Sequence, residues 1–169
     1  MGEVKVSRGS VWGWLGVAFR RLLDVVSGRG LRRRARHLAL GRLGERLSCR
    51  ALGEIGVEVL CRNYRNRRGE IDIVAREGGV LCFVEVKSRR VGGRARPADA
   101  VDAERRLRYV RAAGLYLRSV CPEGVLAHRY DIMEVEFRGW RVCGMRYWRG
   151  AFTEREVLSS WRRRRASGL

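Results

Sequence analysis

Apolar residues recur along the chain at two different spacings, and the changes between them predict the order of its elements. From about residue 37 the apolar positions lie three or four residues apart, which places them on one face of an α-helix. Near residue 57 the pattern changes to alternation, which is typical of a strand with one buried face. The helical stripe consists of Leu40, Leu43, Leu47, Ala51 and Ile55.

Three strands are predicted after the first helix, at residues 57–62, 70–76 and 80–87. A turn-like segment separates the first two strands, and the pair Gly78-Gly79 separates the last two. Glycine pairs of this kind favour tight hairpin turns. Because both connections are short, the three strands are predicted to form an antiparallel meander.

A second helix is predicted between Pro97 and Pro122, where apolar residues again recur at helical spacing. Two further strands are predicted at residues 128–137 and 140–147, before a closing helix that Thr153 caps. The order helix, three strands, helix, two strands, helix indicates an α/β fold with a mixed sheet flanked by helices.

The domain itself is predicted at residues 37–152. A basic N-terminal extension at residues 1–36 precedes it, either amphipathic or disordered, and carries nine basic and two acidic side chains. A C-terminal helix and an arginine-rich tail follow at residues 153–169. Because glycine and a basic run end the extension, the boundary is placed before His37.

The chain is strongly basic, with 37 basic and 18 acidic residues and a formal net charge of +19. A polyanion is the expected partner of such a chain, and nucleic acid is the first candidate. An anionic membrane surface and ribosomal RNA are the second candidates.

No apolar stretch reaches the ~20 residues that a membrane-spanning helix requires, so no transmembrane segment is expected. Residues 11–26 are apolar but interrupted by Arg20 and Arg21. They leave two alternatives, an amphipathic contact with a membrane surface and a poorly ordered extension. The five cysteines are odd in number and lack C-x-x-C spacing, which favours buried thiols in a reducing cytoplasm.

Only two of the 37 basic residues are lysines, Lys5 and Lys87. Arginine stays protonated and presents a planar fork, whereas lysine offers a compact charge whose pKa can move. A lysine kept at position 87, two residues after Glu85, is therefore a candidate for chemistry.

Alternation along the third strand places Glu85 and Lys87 on one face, about 7 Å apart. The hairpin at Gly78-Gly79 brings the preceding strand alongside, so that Asp72 can face the same pocket. Two carboxylates supply the hard oxygen ligands that Mg²⁺ or Mn²⁺ prefers, and a lysine beside them can orient a water. The alternative is an open, solvated sheet face on which Lys87 merely neutralises Glu85.

Three linked motifs carry a resemblance to a known family. They are the segment at residues 63–75 that contains Gly-Glu-Ile-Asp72, the segment Val84-Glu85-Val-Lys87, and the segment Arg129-Tyr130-Asp131. Together with Gly44-Glu45 and residues 97–101, they make the chain similar to the YraN family of predicted nucleases over about residues 40–152. That family is similar to archaeal Holliday-junction resolvases and to the restriction-endonuclease-like PD-(D/E)xK superfamily.

The resemblance implies a restriction-endonuclease-like mixed sheet flanked by helices and a divalent-metal site. It implies that Asp72 and Glu85 bind Mg²⁺ or Mn²⁺, with the Val86 carbonyl as a further ligand and Lys87 activating the water. Glu45 on the first helix is implied as an added ligand or water contact. Junction-cutting proteins of this fold work as dimers, so a homodimer is also expected.

The leading hypothesis is thus a metal-dependent nuclease that hydrolyses phosphodiester bonds of nucleic acid, with structured or branched DNA favoured over RNA. Two other readings stay open: a nucleic-acid-binding protein that uses the nuclease fold without cleavage, and a basic interaction protein at a membrane or ribosome. Six arginines near the proposed site are the candidates for holding phosphates. They are Arg62, Arg65, Arg67, Arg68, Arg89 and Arg90. On the second helix, the arginines expected to extend this track are Arg105, Arg106, Arg108 and Arg111.

Overall fold

The computed structural model describes residues 3–5, 31–91, 99–124 and 126–167, so the predictions for residues 11–26 lie outside the described residues. The described elements are three helices and six strands. The helices are α1 (Leu31–Glu54), α2 (Asp99–Val120) and α3 (Glu154–Ala166). The strands are β1 (Glu3–Lys5), β2 (Glu58–Asn66), β3 (Gly69–Glu77), β4 (Val80–Arg90), β5 (His128–Arg138) and β6 (Arg141–Phe152).

One sheet contains all six strands, in the order β1-β6-β5-β4-β3-β2. Within the described ranges β4 and β5 form the single parallel pair, and α2 is the crossover that connects them. The other neighbours are antiparallel, including the predicted β2-β3-β4 meander. The predicted α/β class, with a mixed sheet flanked by helices, is therefore confirmed.

The first helix begins at Leu31, six residues before the predicted start at His37. The early turns contain Arg32–Arg34, and their composition gave no apolar periodicity from which a helix could be predicted. From Leu40 onward the predicted stripe is confirmed, since Leu40, Leu47 and Ala51 are buried.

Two hydrophobic cores cover the two faces of the sheet, because every inner strand presents apolar residues on both sides. On one face α1 packs against residues that include Ile73, Val84 and Met133. On the other face α2 packs against residues that include Val74 and Phe83, and α3 packs against α2. The two cores fix the strands between two helical layers.

The closing helix begins as predicted. Thr153 is its N-cap: the Thr153 side chain accepts a hydrogen bond from the Glu156 backbone N–H, and the Glu156 side chain accepts one from the Thr153 N–H. This reciprocal capping box satisfies two donors that a helix otherwise leaves open. Among the described helices, none has both the length and the apolar character needed to cross a membrane.

A buried polar network holds the start of β5 against β6. Asp131 is fully buried and accepts hydrogen bonds from Arg129 Nε at 3.0 and 3.1 Å and from the Gly150 N–H at 2.7 Å. The Tyr147 hydroxyl donates a further hydrogen bond to the same carboxylate. Arg129 also donates to Glu77 on β3, which connects three strands. Three donors, which make four contacts with one carboxylate, compensate the cost of burying its charge.

We expect Asp131→Asn to lower the free energy of unfolding by about 3 kcal/mol, because it breaks the ion pair of the buried Asp131 with Arg129 and leaves the partly buried Arg129 with Glu77 alone. Urea unfolding of the variant and of the wild type measures the difference. The matched control is Glu58→Gln, which breaks the exposed ion pair between Glu58 and Arg76 and should cost less than about 1 kcal/mol. Equal losses in the two variants would contradict a structural role for the network.

Candidate functional site

The pairing of β3 with β4 brings the two predicted carboxylates together. Ile73 is paired with Val84, so the next residues outward on the two strands are Asp72 and Glu85. Because side chains alternate along a strand, both carboxylates share the sheet face of Val74 and Phe83, the face that α2 covers. The prediction that Asp72 and Glu85 face the same space is confirmed.

Glu85 is fully buried, yet its two carboxylate oxygens make no hydrogen bond among the described residues. Its charge is compensated by Arg105 of α2, whose Nε lies 3.2 Å from Glu85 Oε1 as an ion pair. The two partners differ in exposure, with 56% of the Arg105 side chain exposed and 1% of the Glu85 side chain. Buried carboxylate oxygens without hydrogen-bond donors are rare in folded proteins and require an explanation.

Asp72 is partly buried, and its Oδ2 accepts a hydrogen bond of 2.8 Å from the Val86 backbone N–H. Burial raises the pKa of the Asp72 carboxyl from 3.8 to about 6. The Val86 hydrogen bond and the charge of Arg105 oppose this rise, whereas Glu85 and Glu45 add to it. The Asp72 side chain thus lies within the electrostatic field of two further acids.

Glu45 reaches this end of the sheet because α1 approaches β4 unusually closely at the neighbouring residue. A Cβ on Gly44 would lie 2.0 Å from Ser88 Oγ and 3.7 Å from a methyl group of Val86. Ser88 Oγ in turn donates a hydrogen bond of 3.3 Å to the Leu40 carbonyl. The absent side chain at position 44 therefore lets α1 lie close to β4, with Glu45 within electrostatic range of Asp72.

Lys87 lies on the same face of β4 as Glu85 and is partly buried. In the register of β4 with β5 it is opposite Glu134. Throughout the described ranges, no three His, Cys, Asp or Glu side chains converge into a ready metal-binding group. The arrangement is a pair of carboxylates with a lysine beside it and a third acid, Glu45, at longer range.

The predicted phosphate-binding arginines fall into two groups. Arg67 and Arg68 are exposed in the β2–β3 turn, at the end of β3 where Asp72 lies. Arg90 is exposed at the matching end of β4, where Arg89 forms a 3.5 Å ion pair with Glu134. These four arginines lie at the same end of the sheet as the carboxylates.

Arg62 and Arg65 of β2 have other surroundings. Arg62 is opposite Ile73, on the face that α1 covers, and it interacts with Cys49 of that helix. This is the face opposite to Glu85, and the β-bulge in β2 makes such a facing hard to predict from alternation. Arg65 is exposed and forms an ion pair with Glu70, 3.0 Å away.

Two further residues lie at the site, Arg105 and Tyr109, one turn apart on α2. Arg105 was predicted only as an extension of the phosphate-binding track, and Tyr109 was not predicted. The Tyr109 hydroxyl is buried without a hydrogen-bond partner among the described residues. Burial, and then the charges of Asp72 and Glu85, raise the Tyr109 pKa well above its usual value. Only the three-dimensional packing of α2 on the sheet identifies them, although their i, i+4 spacing already predicts a shared helix face.

Beyond the site, α2 and α3 form an exposed arginine surface. The Trp161 ring of α3 contacts two guanidinium groups, those of Arg111 at 5.5 Å and Arg165 at 5.4 Å from the ring centroid. The β2–β3 turn joins this surface to the site, since Asn66 donates a 3.0 Å hydrogen bond to the Ala112 carbonyl of α2. The exposed arginines are Arg108, Arg111, Arg118, Arg155, Arg162, Arg163 and Arg165.

We expect Gly44→Ala to destabilise the protein by about 1–3 kcal/mol, because the new methyl group overpacks the contact between α1 and Ser88. Gly41→Ala is the matched control: nothing lies within 4 Å of its Cβ position, and alanine should stabilise the helix by up to about 1 kcal/mol. Urea unfolding measures both variants. In Gly44→Ala/Ser88→Ala the clash is removed, and a failure to recover stability would contradict this account of Gly44.

The raised pKa of Asp72 predicts a pH-dependent stability in the presence of EDTA. The unfolded carboxyl ionises near pH 3.8 and the folded one near 6, so the folded state binds the proton more tightly. Stability is lost as the pH rises through this interval, by about 2 kcal/mol. Asp72→Asn lacks this loss, so it should gain about 2 kcal/mol relative to wild type between about pH 4.5 and 7.5. A stability difference independent of pH would contradict it.

The part of the chain that contains the site is also the part that matches known proteins. A family model described as "Uncharacterised protein family UPF0102" matches residues 44–135, which contain Glu45, Asp72, Glu85 and Lys87. A UPF0102 protein of Chlorobaculum parvum is 42% identical over 96 residues, 57% of this chain and 74% of the relative.

Two further relatives agree with this match. A UPF0102 protein of Syntrophus aciditrophicus is 38% identical over 106 residues, 63% of this chain and 83% of the relative. One of Rhodococcus opacus is 51% identical over 76 residues, 44% of this chain and 64% of the relative. The resemblance to the YraN family is confirmed at the level of the family. The chain belongs to the uncharacterised protein family UPF0102.

Proposed function

We propose that this protein is a metal-dependent nuclease that hydrolyses the phosphodiester backbone of nucleic acid. One observation carries the proposal: Glu85 is fully buried opposite Asp72, and neither of its oxygens has a hydrogen-bond donor. A divalent cation is the ligand that such oxygens fit, because it supplies the missing positive contact without a protein donor. The proposal includes membership of the restriction-endonuclease-like superfamily.

The residues of the site fit Mg²⁺ or Mn²⁺ by the chemistry of their donors. Asp72 and Glu85 offer carboxylate oxygens, and the Val86 carbonyl is a further oxygen ligand beside them. Glu45, within electrostatic range of Asp72, is an added ligand or a contact for a bound water. When bound, the cation polarises the phosphate and lowers the pKa of a water.

Lys87 has the role of orienting the attacking water and stabilising its hydroxide form. It lies two residues beyond Glu85 on the same strand face, and it is partly buried. A lysine suits this role because its ammonium group is a compact point charge, whereas the guanidinium group of arginine is broad and planar. In a chain with two lysines among 37 basic residues, this position retains one of them.

The arginines around the site contact the phosphate backbone of the nucleic acid. Arg67, Arg68, Arg89 and Arg90 stand at the end of the sheet where the carboxylates lie, and the arginine surface of α2 and α3 extends this positive region. Phosphate contacts of this kind fix position and orientation without reading sequence. By resemblance, the substrate is structured or branched DNA rather than RNA, and the protein acts as a cytoplasmic homodimer.

We expect wild-type protein to cleave labelled DNA in Mg²⁺ or Mn²⁺ and to lose cleavage in EDTA, because the cation activates the water. The substrates are duplex, single strand, flap and four-way junction. Glu85→Ala and Lys87→Arg should each lower the rate at least about 100-fold, since each removes a group that acts on the water or its metal.

The matched control is Glu58→Ala, an exposed acidic residue on β2, which should cleave like the wild type. Circular dichroism of every variant checks the fold. Full activity of Lys87→Arg would refute the role of lysine. Tight binding without cleavage by wild type and Glu85→Ala alike would instead support the non-cutting nucleic-acid binder.

A further inference from the structure

The ion pair between Arg105 and Glu85 connects a solvent-exposed side chain to a buried one. The Glu85 side chain is 1% exposed, whereas the Arg105 side chain is 56% exposed. A buried carboxylate without a counterion is strongly destabilising. Arg105 of α2 therefore compensates the Glu85 charge from the solvent side of the site.

Arg105 contacts the same oxygen that a divalent cation would use. Its Nε lies 3.2 Å from Glu85 Oε1, and its charge also lowers the pKa of Asp72. A dication bound between the two carboxylates would repel this guanidinium group at close range. Arg105 and the metal are therefore competitors for one pair of acids.

The guanidinium group of Arg105 can leave Glu85 and pair with another anion. The contact with Glu85 is ionic and is not a directional hydrogen bond, since both Glu85 oxygens lack a donor in hydrogen-bond geometry. Phosphate oxygens match the planar fork of arginine and can accept two hydrogen bonds from it. The exposed Arg108 lies three residues further along α2, within the arginine surface, so phosphates bound there would lie close to Arg105.

We propose that Arg105 exchanges Glu85 for a backbone phosphate when the divalent cation and nucleic acid bind, and that this exchange couples the two binding events. The inference rests on the proposed nuclease function, which it deepens. Without nucleic acid, Arg105 keeps the metal site in a weakly binding state. Once a phosphate holds Arg105, the carboxylates are released for the cation. Thermodynamic linkage makes the coupling reciprocal, so the metal strengthens nucleic-acid binding by the same factor.

Calorimetric titration with Mn²⁺ tests the exchange in the absence of nucleic acid, at a mildly alkaline pH. Arg105→Gln removes the competing charge, and we expect its Mn²⁺ affinity to exceed that of the wild type by at least about 5-fold. Arg76→Gln is the matched control, since Arg76 is similarly exposed and pairs with the exposed Glu58 on β2, and it should bind Mn²⁺ like the wild type. Arg105→Lys keeps the charge and should stay close to the wild type.

A second titration measures the coupling itself, with a short DNA duplex present and Lys87→Ala in every protein so that the duplex stays intact. The duplex should tighten Mn²⁺ binding at least about 5-fold when Arg105 is present. In Arg105→Gln this gain should be largely lost, although Mn²⁺ binds more tightly from the start.

The outcomes separate this proposal from the nuclease proposal. Equal or weaker Mn²⁺ binding by Arg105→Gln, with metal-dependent cleavage by the wild type intact, overturns the exchange and leaves the nuclease function standing. In that case Arg105 is a structural counterion of Glu85. If the wild type binds no Mn²⁺ and cleaves nothing, both proposals are overturned together.

Discussion

Antiparallel pairing of β3 with β4 is the constraint on which the site depends. Because Ile73 is paired with Val84, Asp72 and Glu85 must stand side by side, and because side chains alternate they must both face α2. The hydrogen bond from the Val86 N–H to Asp72 ties the side chain of one strand to the backbone of the other. A shift of one residue in this register would turn one of the carboxylates toward α1 and separate the pair.

The two fully buried acids, Asp131 and Glu85, have different surroundings. Asp131 accepts hydrogen bonds from Arg129, Tyr147 and the Gly150 backbone, so its charge is compensated by groups on β5 and β6. Glu85 is equally buried but accepts no hydrogen bond among the described residues. Polar groups that serve stability are normally satisfied. The contrast marks Asp131 as structural and supports the proposal that Glu85 is kept for a ligand.

The sequence was sufficient where periodicity and turn chemistry act locally. It predicted the buried stripe of α1, the hairpin at Gly78-Gly79 and the cap at Thr153. It also predicted the shared face of Asp72 and Glu85, because a hairpin and strict alternation determine it. These features need no information from distant parts of the chain.

Other features depend on contacts between distant residues, and the pattern did not indicate them. The β2 bulge turns Arg62 toward α1, and the contact of Arg105 with Glu85 spans a helix and a strand. The early turns of α1 are basic and show no apolar period, so its start at Leu31 was missed. The carboxylates of the candidate site are therefore close together in the sequence. The contact of Arg105 that compensates the Glu85 charge forms only when α2 packs on the sheet.

The single described parallel pair has a consequence for the order of folding. Asp72 and Glu85 meet within a hairpin, whereas β4 can pair with β5 only after closing the long segment from Leu81 to His128. Closing a loop of that length costs more chain entropy than forming a hairpin, so it is slower. The two acids can thus become neighbours while water still surrounds them. Their repulsion becomes severe only when α2 docks, and the same helix carries Arg105 to the carboxylates.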